Sequence, residues 1–285
     1  MSPQEYCQQK AAGSGSSFYY SFLFLPQARR EAITALYAFC REVDDAVDEP
    51  SDDGVARARI AWWRDEVHRL YKGEGNHPVS KALEPCLKPF NITAKNMHAV
   101  IDGMEMDLEQ TRYLDYPGLA LYCERVAGVV GLMASEIFGK TQDSTLEYAR
   151  QLGHAFQMTN IIRDVGEDAR RGRIYLPIDE MQRFQVPAHE ILNAKHSERF
   201  VALMQFQTDR ARELYRKAYS LLPEADRRSQ RPGLMMAAIY STLLQEIERD
   251  GYQVLNQRTS LTPIRKLWLA WKTFVRAKPL PLPGL

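Results

Sequence analysis

Paired cysteines are missing from this chain of 285 residues. Its four cysteines have no C-x-x-C spacing, and no cluster of histidine and cysteine accompanies them, so a zinc site is not expected. They are interpreted as small buried side chains in a reducing cytoplasm. These cysteines are Cys7, Cys40, Cys86 and Cys123.

An excess of charge and a long apolar run are also missing. The formal net charge is +1, which gives no broad basic face, and no nucleic-acid partner is expected. Residues 1–10 have no basic segment leading into an apolar core, so they do not form a signal peptide. The longest apolar run, residues 18–26, is about half as long as a membrane-spanning helix. These absences predict a cytoplasmic protein without a transmembrane helix.

Alternation of apolar and polar residues at a period of two is absent, which argues against β-strands. Apolar residues instead recur with helical spacing, and breaks fall at segments rich in proline, glycine and aspartate. The pattern predicts an all-α fold, a single domain over residues 1–285, built as a helical bundle around a central cavity. Its core spans about 15–258, and 259–285 form a C-terminal tail. The predicted helices cover residues 27–49, 53–72, 92–110, 117–138, 143–168, 197–222 and 231–257.

The first informative segment, residues 35–49, predicts a helix that is apolar over most of its surface. One sector of about 60° is polar and acidic. A surface helix has the opposite proportions, so this helix is expected to be mostly buried, with its polar strip facing something polar inside the fold. The strip consists of Tyr37, Arg41, Asp44 and Asp48.

A second strip of the same kind lies in residues 152–168. Asn160, Asp164 and Asp168 are spaced four residues apart, with Gln157 and Arg163 nearby. Carboxylates at this spacing repel each other on a helix by a few tenths of a kcal/mol. Two such strips in half-buried helices are unfavourable unless cations neutralise them. The alternative is that both strips are solvated outer faces with incidental acids.

The ligand types indicate which cation would bind. Carboxylate and amide oxygens without histidine or cysteine suit hard ions such as Mg²⁺, Mn²⁺ or Ca²⁺. Rigid helices that offer single carboxylates and leave room for other oxygens favour Mg²⁺ shared with phosphate groups. The sequence therefore predicts Mg²⁺, with Mn²⁺ as a substitute, held between the two strips.

Several motifs resemble those of the squalene and phytoene synthase family. The resemblance covers roughly residues 15–258, and its second aspartate motif is the more specific of the two. The 103–113 stretch resembles bacterial presqualene diphosphate synthases of hopanoid pathways. The matching segments are Asp44-Asp45-x-x-Asp48, Asn160-x-x-Arg163-Asp164-x-x-x-Asp168, and residues 17–22, 122–131 and 173–177.

The resemblance implies an isoprenoid synthase fold and roles for individual residues. The implied metal ligands are Asp44, Asp48, Asn160, Asp164 and Asp168. Tyr37 and Arg41 match catalytic positions near the diphosphates. The implied substrate-binding residues are Ser17, Phe18, Phe22, Tyr122, Gln157, Asn160, Arg163, Tyr240 and Arg258.

The implied reaction is the head-to-head condensation of two farnesyl diphosphates to presqualene diphosphate, with release of diphosphate. Metal, arginine and tyrosine would stabilise the leaving group, and apolar walls would exclude water. The glycine-containing stretch 13–17 does not follow a strand and is not a dinucleotide fingerprint, so no nicotinamide is expected for this half-reaction. The alternatives are a phytoene synthase acting on geranylgeranyl diphosphate, a full squalene synthase using NADPH, and a catalytically silent carrier of prenyl lipids.

The C-terminal tail places Trp268 and Trp271 among several cations within residues 265–276. Such a segment can lie at a membrane surface, here the inner face of the membrane, from which product would pass to later enzymes of the squalene pathway. Packing of the same segment against the bundle is the alternative.

Overall fold

The computed structural model describes residues 1–13, 21–22, 24–49 and 52–275. These ranges contain helices and no β-strand, and an isolated bridge pairs Arg112 with Ile174. The predicted all-α fold is confirmed. The helices are α1 Pro3–Gly13, α2 Gln27–Asp48, α3 Asp53–Leu70, α4 Pro78–Leu87, α5 Ala94–Glu109, α6 Tyr116–Cys123, α7 Val129–Phe138, α8 Ser144–Arg170, α9 Ile178–Arg183, α10 Ala188–Leu192, α11 Glu198–Leu221, α12 Arg231–Arg249 and α13 Pro263–Val275.

Several helices begin at a residue whose side chain caps the first turn. Asp52 accepts a hydrogen bond from the Val55 amide at the start of α3, and Thr93 accepts one from the Asn96 amide at the start of α5. Such caps satisfy amides that have no partner within the helix. Gly139 ends α7 with a φ of +96°, a conformation that favours glycine. Short polar residues and glycine therefore set these helix bounds.

The helices enclose two clusters of buried apolar side chains. The first lies among α8, α11 and α12, where Met158, Phe200 and Ile239 have no exposed surface. The second lies among α2 to α5 and α7, where Phe39 and Ile101 are equally buried. The cavity described below takes its walls from both clusters.

Helix α8 packs backbone to backbone against α7 and the π-helical segment Glu124–Gly128 that precedes it. A Cβ atom on Gly131 would lie 2.3 Å from the Ala149 carbonyl oxygen, and one on Gly153 would lie 2.4 Å from the Ala127 carbonyl oxygen. Real Cβ atoms do not come that close, so any larger residue must push the helices apart. Both glycines also line the cavity.

The predicted helix over residues 231–257 is wrong at its end. Helix α12 stops at Arg249, and Gly251 and Tyr252 have φ values of +65° and +58°. Left-handed backbone cannot continue a right-handed helix, and a 3₁₀ turn, Gln253–Leu255, follows. Helices α1, α4, α9, α10 and α13 are absent from the predicted helices, and the predicted helix over 117–138 contains the π-helical segment.

The four cysteines are free thiols. Cys7, Cys86 and Cys123 are buried, as the sequence predicts, whereas Cys40 is half-buried and lines the cavity. Their side chains therefore contribute to packing rather than to cross-linking.

One helical stretch among the described residues, Tyr116–Phe138, is long and apolar enough to cross a membrane by length and composition alone. The sequence prediction that no helix spans a membrane stays a prediction, because length and composition do not test it. The stretch contacts α5 and α8. Near its centre, Glu124 Oε2 lies 2.8 Å from Nε2 of His154, a polar contact made inside the bundle.

Candidate active site

A cavity of about 360 Å³ lies between the two buried clusters. Most of its wall is apolar and comes from α2, α7, α8 and α12, with Phe22, Leu36 and Phe138 among the larger side chains. The polar residues of the wall come from α2, α8, α12 and the segment that follows α12. They include Tyr37, Arg41, Asp44, Gln157, Asn160, Arg163, Tyr240 and Arg258.

On α2, the guanidinium of Arg41 is shared between two neighbouring carboxylates. It donates to Asp44 Oδ2 at 2.6 Å and to Asp45 Oδ1 at 2.8 Å. Only Asp44 lines the cavity, whereas Asp45 also binds Lys10 on α1 at 2.7 Å. Burial raises the pKa of Asp44 to about 6; the charge of Asp48 adds to this shift, and Arg41 opposes it. The carboxylate therefore lies where a further cation would stabilise it.

On α8, Asp164 accepts hydrogen bonds from two arginines. One is its neighbour Arg163, and the other is Arg258, whose Nε lies 2.8 Å from Asp164 Oδ1. Burial disfavours the charged form of Asp164, but these hydrogen bonds outweigh burial and lower its pKa. Asp164 is therefore ionised in the fold, and two arginines that line the cavity converge on it.

The remaining acids of the two strips lie beside the end of α8. Asp48 accepts hydrogen bonds from Arg171 at 2.6 Å and Arg173 at 2.8 Å, which connects the end of α2 to the segment after α8. Burial raises the pKa of Asp168 to about 7, and the charges of Asp164 and Asp107 add to the shift. These carboxylates are not themselves part of the cavity wall.

Asn160 carries a polar atom that the fold leaves unsatisfied. Its Oδ1 atom is buried and has no hydrogen-bond partner, while its Nδ2 atom lies 3.4 Å from Gln157 Oε1. A buried acceptor without a donor costs about 1–3 kcal/mol. Because Asn160 lines the same cavity as Asp44, a bound cation would remove this cost.

The donor set fits Mg²⁺ in its chemistry, since it consists of carboxylate and amide oxygens. Among the described residues, no three histidine, cysteine, aspartate or glutamate side chains form a cluster that could hold a metal ion. Two of these acids form ion pairs with arginines: Asp44 with Arg41, and Asp164 with Arg258. The assignment of Asp44, Asp48, Asn160, Asp164 and Asp168 as ligands of Mg²⁺ therefore stays a prediction.

Two of the residues predicted to bind substrate, Ser17 and Phe18, lie outside the described residues. A third, Tyr122, lies away from the cavity. The Tyr122 side chain does not reach the cavity wall but donates a hydrogen bond to the Asp107 carboxylate at 3.1 Å. A buried partner inside the bundle draws this phenol away from the cavity. The other six residues of that prediction line the cavity; they are Phe22, Gln157, Asn160, Arg163, Tyr240 and Arg258.

Asp107 and Tyr175 form a buried polar cluster that the sequence prediction missed. Tyr175 donates to Asp107 Oδ1 at 2.8 Å, and its ring stacks on Tyr122 with centroids 5.1 Å apart. Burial raises the pKa of Asp107 to about 6, and the charge of Arg173 opposes the shift. The only signal in the sequence was an acid within an otherwise apolar helix face, in the 103–113 stretch.

Replacing Asp107 by asparagine should change how stability depends on pH. A raised pKa means that the folded chain holds the proton more tightly than the unfolded chain does. The protonated Asp107 side chain therefore contributes to stability. This contribution is fully present below about pH 4 and is lost as the pH rises through about 6. The Asp107→Asn variant lacks this loss, so its free energy of unfolding relative to wild type should increase between pH 4 and pH 7.

Urea denaturation of both proteins across this pH range measures the difference. Asp102→Asn, on the same helix but with a more exposed side chain bound to Arg64, is the control for a general loss of acidic charge. A difference between Asp107→Asn and wild type that does not vary with pH would contradict the assigned burial of this carboxylate.

The fold and the site together define a class of protein. A helical bundle that encloses an apolar cavity, with arginines, the Asp44 carboxylate and an amide oxygen on its polar wall, is an all-α isoprenoid synthase. A sequence model described as squalene/phytoene synthase matches residues 11–265. The chain belongs to the squalene/phytoene synthase family, whose members join prenyl diphosphates head to head.

Individual relatives support the same family. A phytoene synthase from Arthrospira platensis is 36% identical, covering 97% of this chain and 94% of the relative. A 15-cis-phytoene synthase from Synechococcus elongatus is also 36% identical, over 92% and 89%. A dehydrosqualene synthase crystal structure superposes with a TM-score of 0.85 at 28% identity, covering 95% of both chains. The squalene synthase HpnC from Alicyclobacillus acidocaldarius gives 0.78 at 26% identity, over 88% and 94%.

Proposed function

We propose that this protein condenses two molecules of farnesyl diphosphate head to head into presqualene diphosphate and releases one diphosphate. The observation that carries the proposal is one cavity with a mostly apolar wall and a cationic and acidic group of residues. Arg41, Asp44, Asn160, Arg163 and Arg258 all line it. A prenyl diphosphate has the same division between an apolar tail and a charged head.

The charged residues would act on the leaving diphosphate. Breaking the carbon–oxygen bond of an allylic diphosphate leaves a carbocation and an anion. Arg41, Arg163 and Arg258 carry the donors that can stabilise charge as it develops on the anion. Mg²⁺ held by the acids of α2 and α8 would supply further electrostatic stabilisation of the same oxygens.

The apolar wall would protect the carbocation from water. The double bond of the second substrate attacks the cation, and loss of one proton then closes a cyclopropane that retains the second diphosphate. Phe22, Leu36 and Phe138 supply wall without a nucleophile. The proton passes to the released diphosphate or to a tyrosine, and Tyr37 and Tyr240 are the tyrosines among the polar wall residues described above.

The preference for the fifteen-carbon substrate rests on residues 103–113, which resemble the same stretch of bacterial presqualene diphosphate synthases. The second candidate is the phytoene synthase reaction on two geranylgeranyl diphosphates, because the relatives at 36% identity carry that name.

Product analysis separates the two candidates. The protein is incubated with Mg²⁺ and either farnesyl or geranylgeranyl diphosphate, without a reductant, and products are identified by mass spectrometry. We expect presqualene diphosphate from the fifteen-carbon substrate, with kcat/KM at least about tenfold higher than for the longer one. Phytoene as the main product would select the second candidate. Squalene formed only after NADPH is added would extend the first, and no product from either substrate would refute both.

A further inference from the structure

The outer face of helix α13 is apolar and exposed to solvent. Ile264 is 82% exposed, Leu267 45%, Trp268 50%, Trp271 52% and Val275 57%. At about 100° per residue these five side chains fall within a sector of about 100°. Contiguous exposed apolar surface of this kind is uncommon on a soluble protein and marks an interaction site.

The opposite face anchors the helix to the bundle. Leu269, Ala270 and Thr273 are buried, and α13 contacts α12 along its length. The ring of Phe274 stacks on Phe24 with centroids 4.7 Å apart. The exposed stripe is therefore a fixed surface of the folded protein.

The sequence around this stripe carries charge of one sign, although Arg265 of α13 is already paired with Glu246 of α12 at 2.7 Å. The last acidic residue of the chain is Asp250, and the 35 residues that follow contain six lysines and arginines and no acid. Lys272 lies 4.4 Å from the ring centroid of Trp268, at the edge of the stripe. Basic residues near a membrane each contribute about 1 kcal/mol of attraction to anionic lipids. Tryptophan beside lysine and arginine is typical of the boundary between lipid headgroups and acyl chains.

The same helix also reaches the cavity, but with its opposite face. Arg258 and Leu261, which precede α13, line the cavity, and so does Lys266 in its first turns. At about 100° per residue, Lys266 lies about 150° from the middle of the stripe, on the same face as Leu269 and Thr273. One helix, about 10 Å across with its side chains, therefore separates the stripe from this side of the cavity.

We propose that the outer face of α13 docks on the surface of a bilayer that contains anionic lipids. The apolar stripe enters the headgroup region, and the basic residues bind the lipid phosphates. The helix does not cross the bilayer, because its inner face is packed on α12.

Vesicle flotation of the full-length protein tests this surface. The vesicles contain phosphatidylcholine alone or phosphatidylcholine mixed with phosphatidylglycerol. We expect wild type to float with the mixed vesicles, and less as salt is raised. The Trp268→Ala/Trp271→Ala variant should partition at least about tenfold less. Both side chains are half exposed, so the fold should tolerate the change, which circular dichroism verifies.

The matched control is Trp62→Ala, another exposed tryptophan, on α3. It should float as wild type does. Equal flotation of wild type and the double variant, or no flotation of wild type with either vesicle, would overturn the proposal.

Light scattering tests whether a second copy of the chain covers the stripe instead of a membrane. A wild-type dimer that the double variant converts to a monomer would show this and would overturn the proposal. Prenyl transfer to substrate in detergent tests the proposed function separately and should be unchanged in the double variant.

Discussion

Replacing Asp44 by asparagine should lower kcat/KM by about 10³-fold while the protein stays folded. Asparagine keeps the shape of the side chain but removes the charge that a cation at the diphosphate end requires. Arg41 retains Asp45 as its partner at 2.8 Å, so no buried charge is left unpaired. Because burial disfavours the Asp44 carboxylate, the melting temperature at neutral pH should stay the same or rise. Steady-state kinetics and thermal denaturation measure the two effects.

The neighbouring residue supplies a closely matched control. Asp45 binds the other side of the same guanidinium but faces Lys10 rather than the cavity. We expect Asp45→Asn to lower kcat/KM by about 10-fold to 100-fold, as the loss of a residue that only positions Arg41 would. Equal losses in the two variants would contradict the assignment of Asp44 to the reacting end. A wild type that binds prenyl diphosphate without turnover would instead identify a carrier.

The second large effect is on stability. Gly153→Ala should lower the free energy of unfolding by about 3 kcal/mol, because the added methyl group has no room. Its Cβ would lie 2.4 Å from the Ala127 carbonyl oxygen and 3.1 Å from the Gly128 Cα. Backbone atoms cannot move aside as a flexible side chain can. For a chain of this size the melting temperature should fall by roughly 5–10 °C.

Gly13→Ala is the control for this substitution. Nothing lies within 4 Å of a Cβ built on Gly13, so alanine there should be neutral or slightly stabilising through its effect on the unfolded chain. Thermal denaturation of both variants gives the comparison. If Gly153→Ala melts as wild type does, the close approach of α8 to the π-helical segment is not required for the fold.

The parts of the site that were predictable from sequence are those that a single helix determines. Asp44 follows Arg41 by three residues, and Asn160 precedes Asp164 by four, so helical geometry alone puts each pair on one face. The polar strips were inferred to face inward because the rest of each helix is apolar. The structure brings Asp44 and Asn160 to one cavity.

The contacts that were not predictable join residues far apart in the chain. Arg171 and Arg173 reach Asp48 across more than 120 residues, and Arg258 reaches Asp164 across 94. Such pairs depend on how the helices pack against one another, and this packing cannot be predicted from a local sequence pattern. Burial of Asp107 was equally hidden, because its tyrosine partners come from other segments.

The fold shows the same division between local and distant causes. Helix α2 was predicted to within one residue, since its apolar periodicity is strong. The end of α12 was misplaced because apolar spacing continues through Val254 and Leu255, while the backbone has already turned at Tyr252. The π-helical segment follows from the fit of α8 against its neighbours rather than from its own composition.

The arginines that pair with the aspartates have a consequence for how the protein matures. Many small metalloproteins cannot close until their ion arrives, because bare carboxylates or thiolates would repel one another. Here Arg41, Arg171, Arg173 and Arg258 already balance those charges. The bundle can therefore close without a divalent ion, because arginines of the chain itself neutralise these carboxylates.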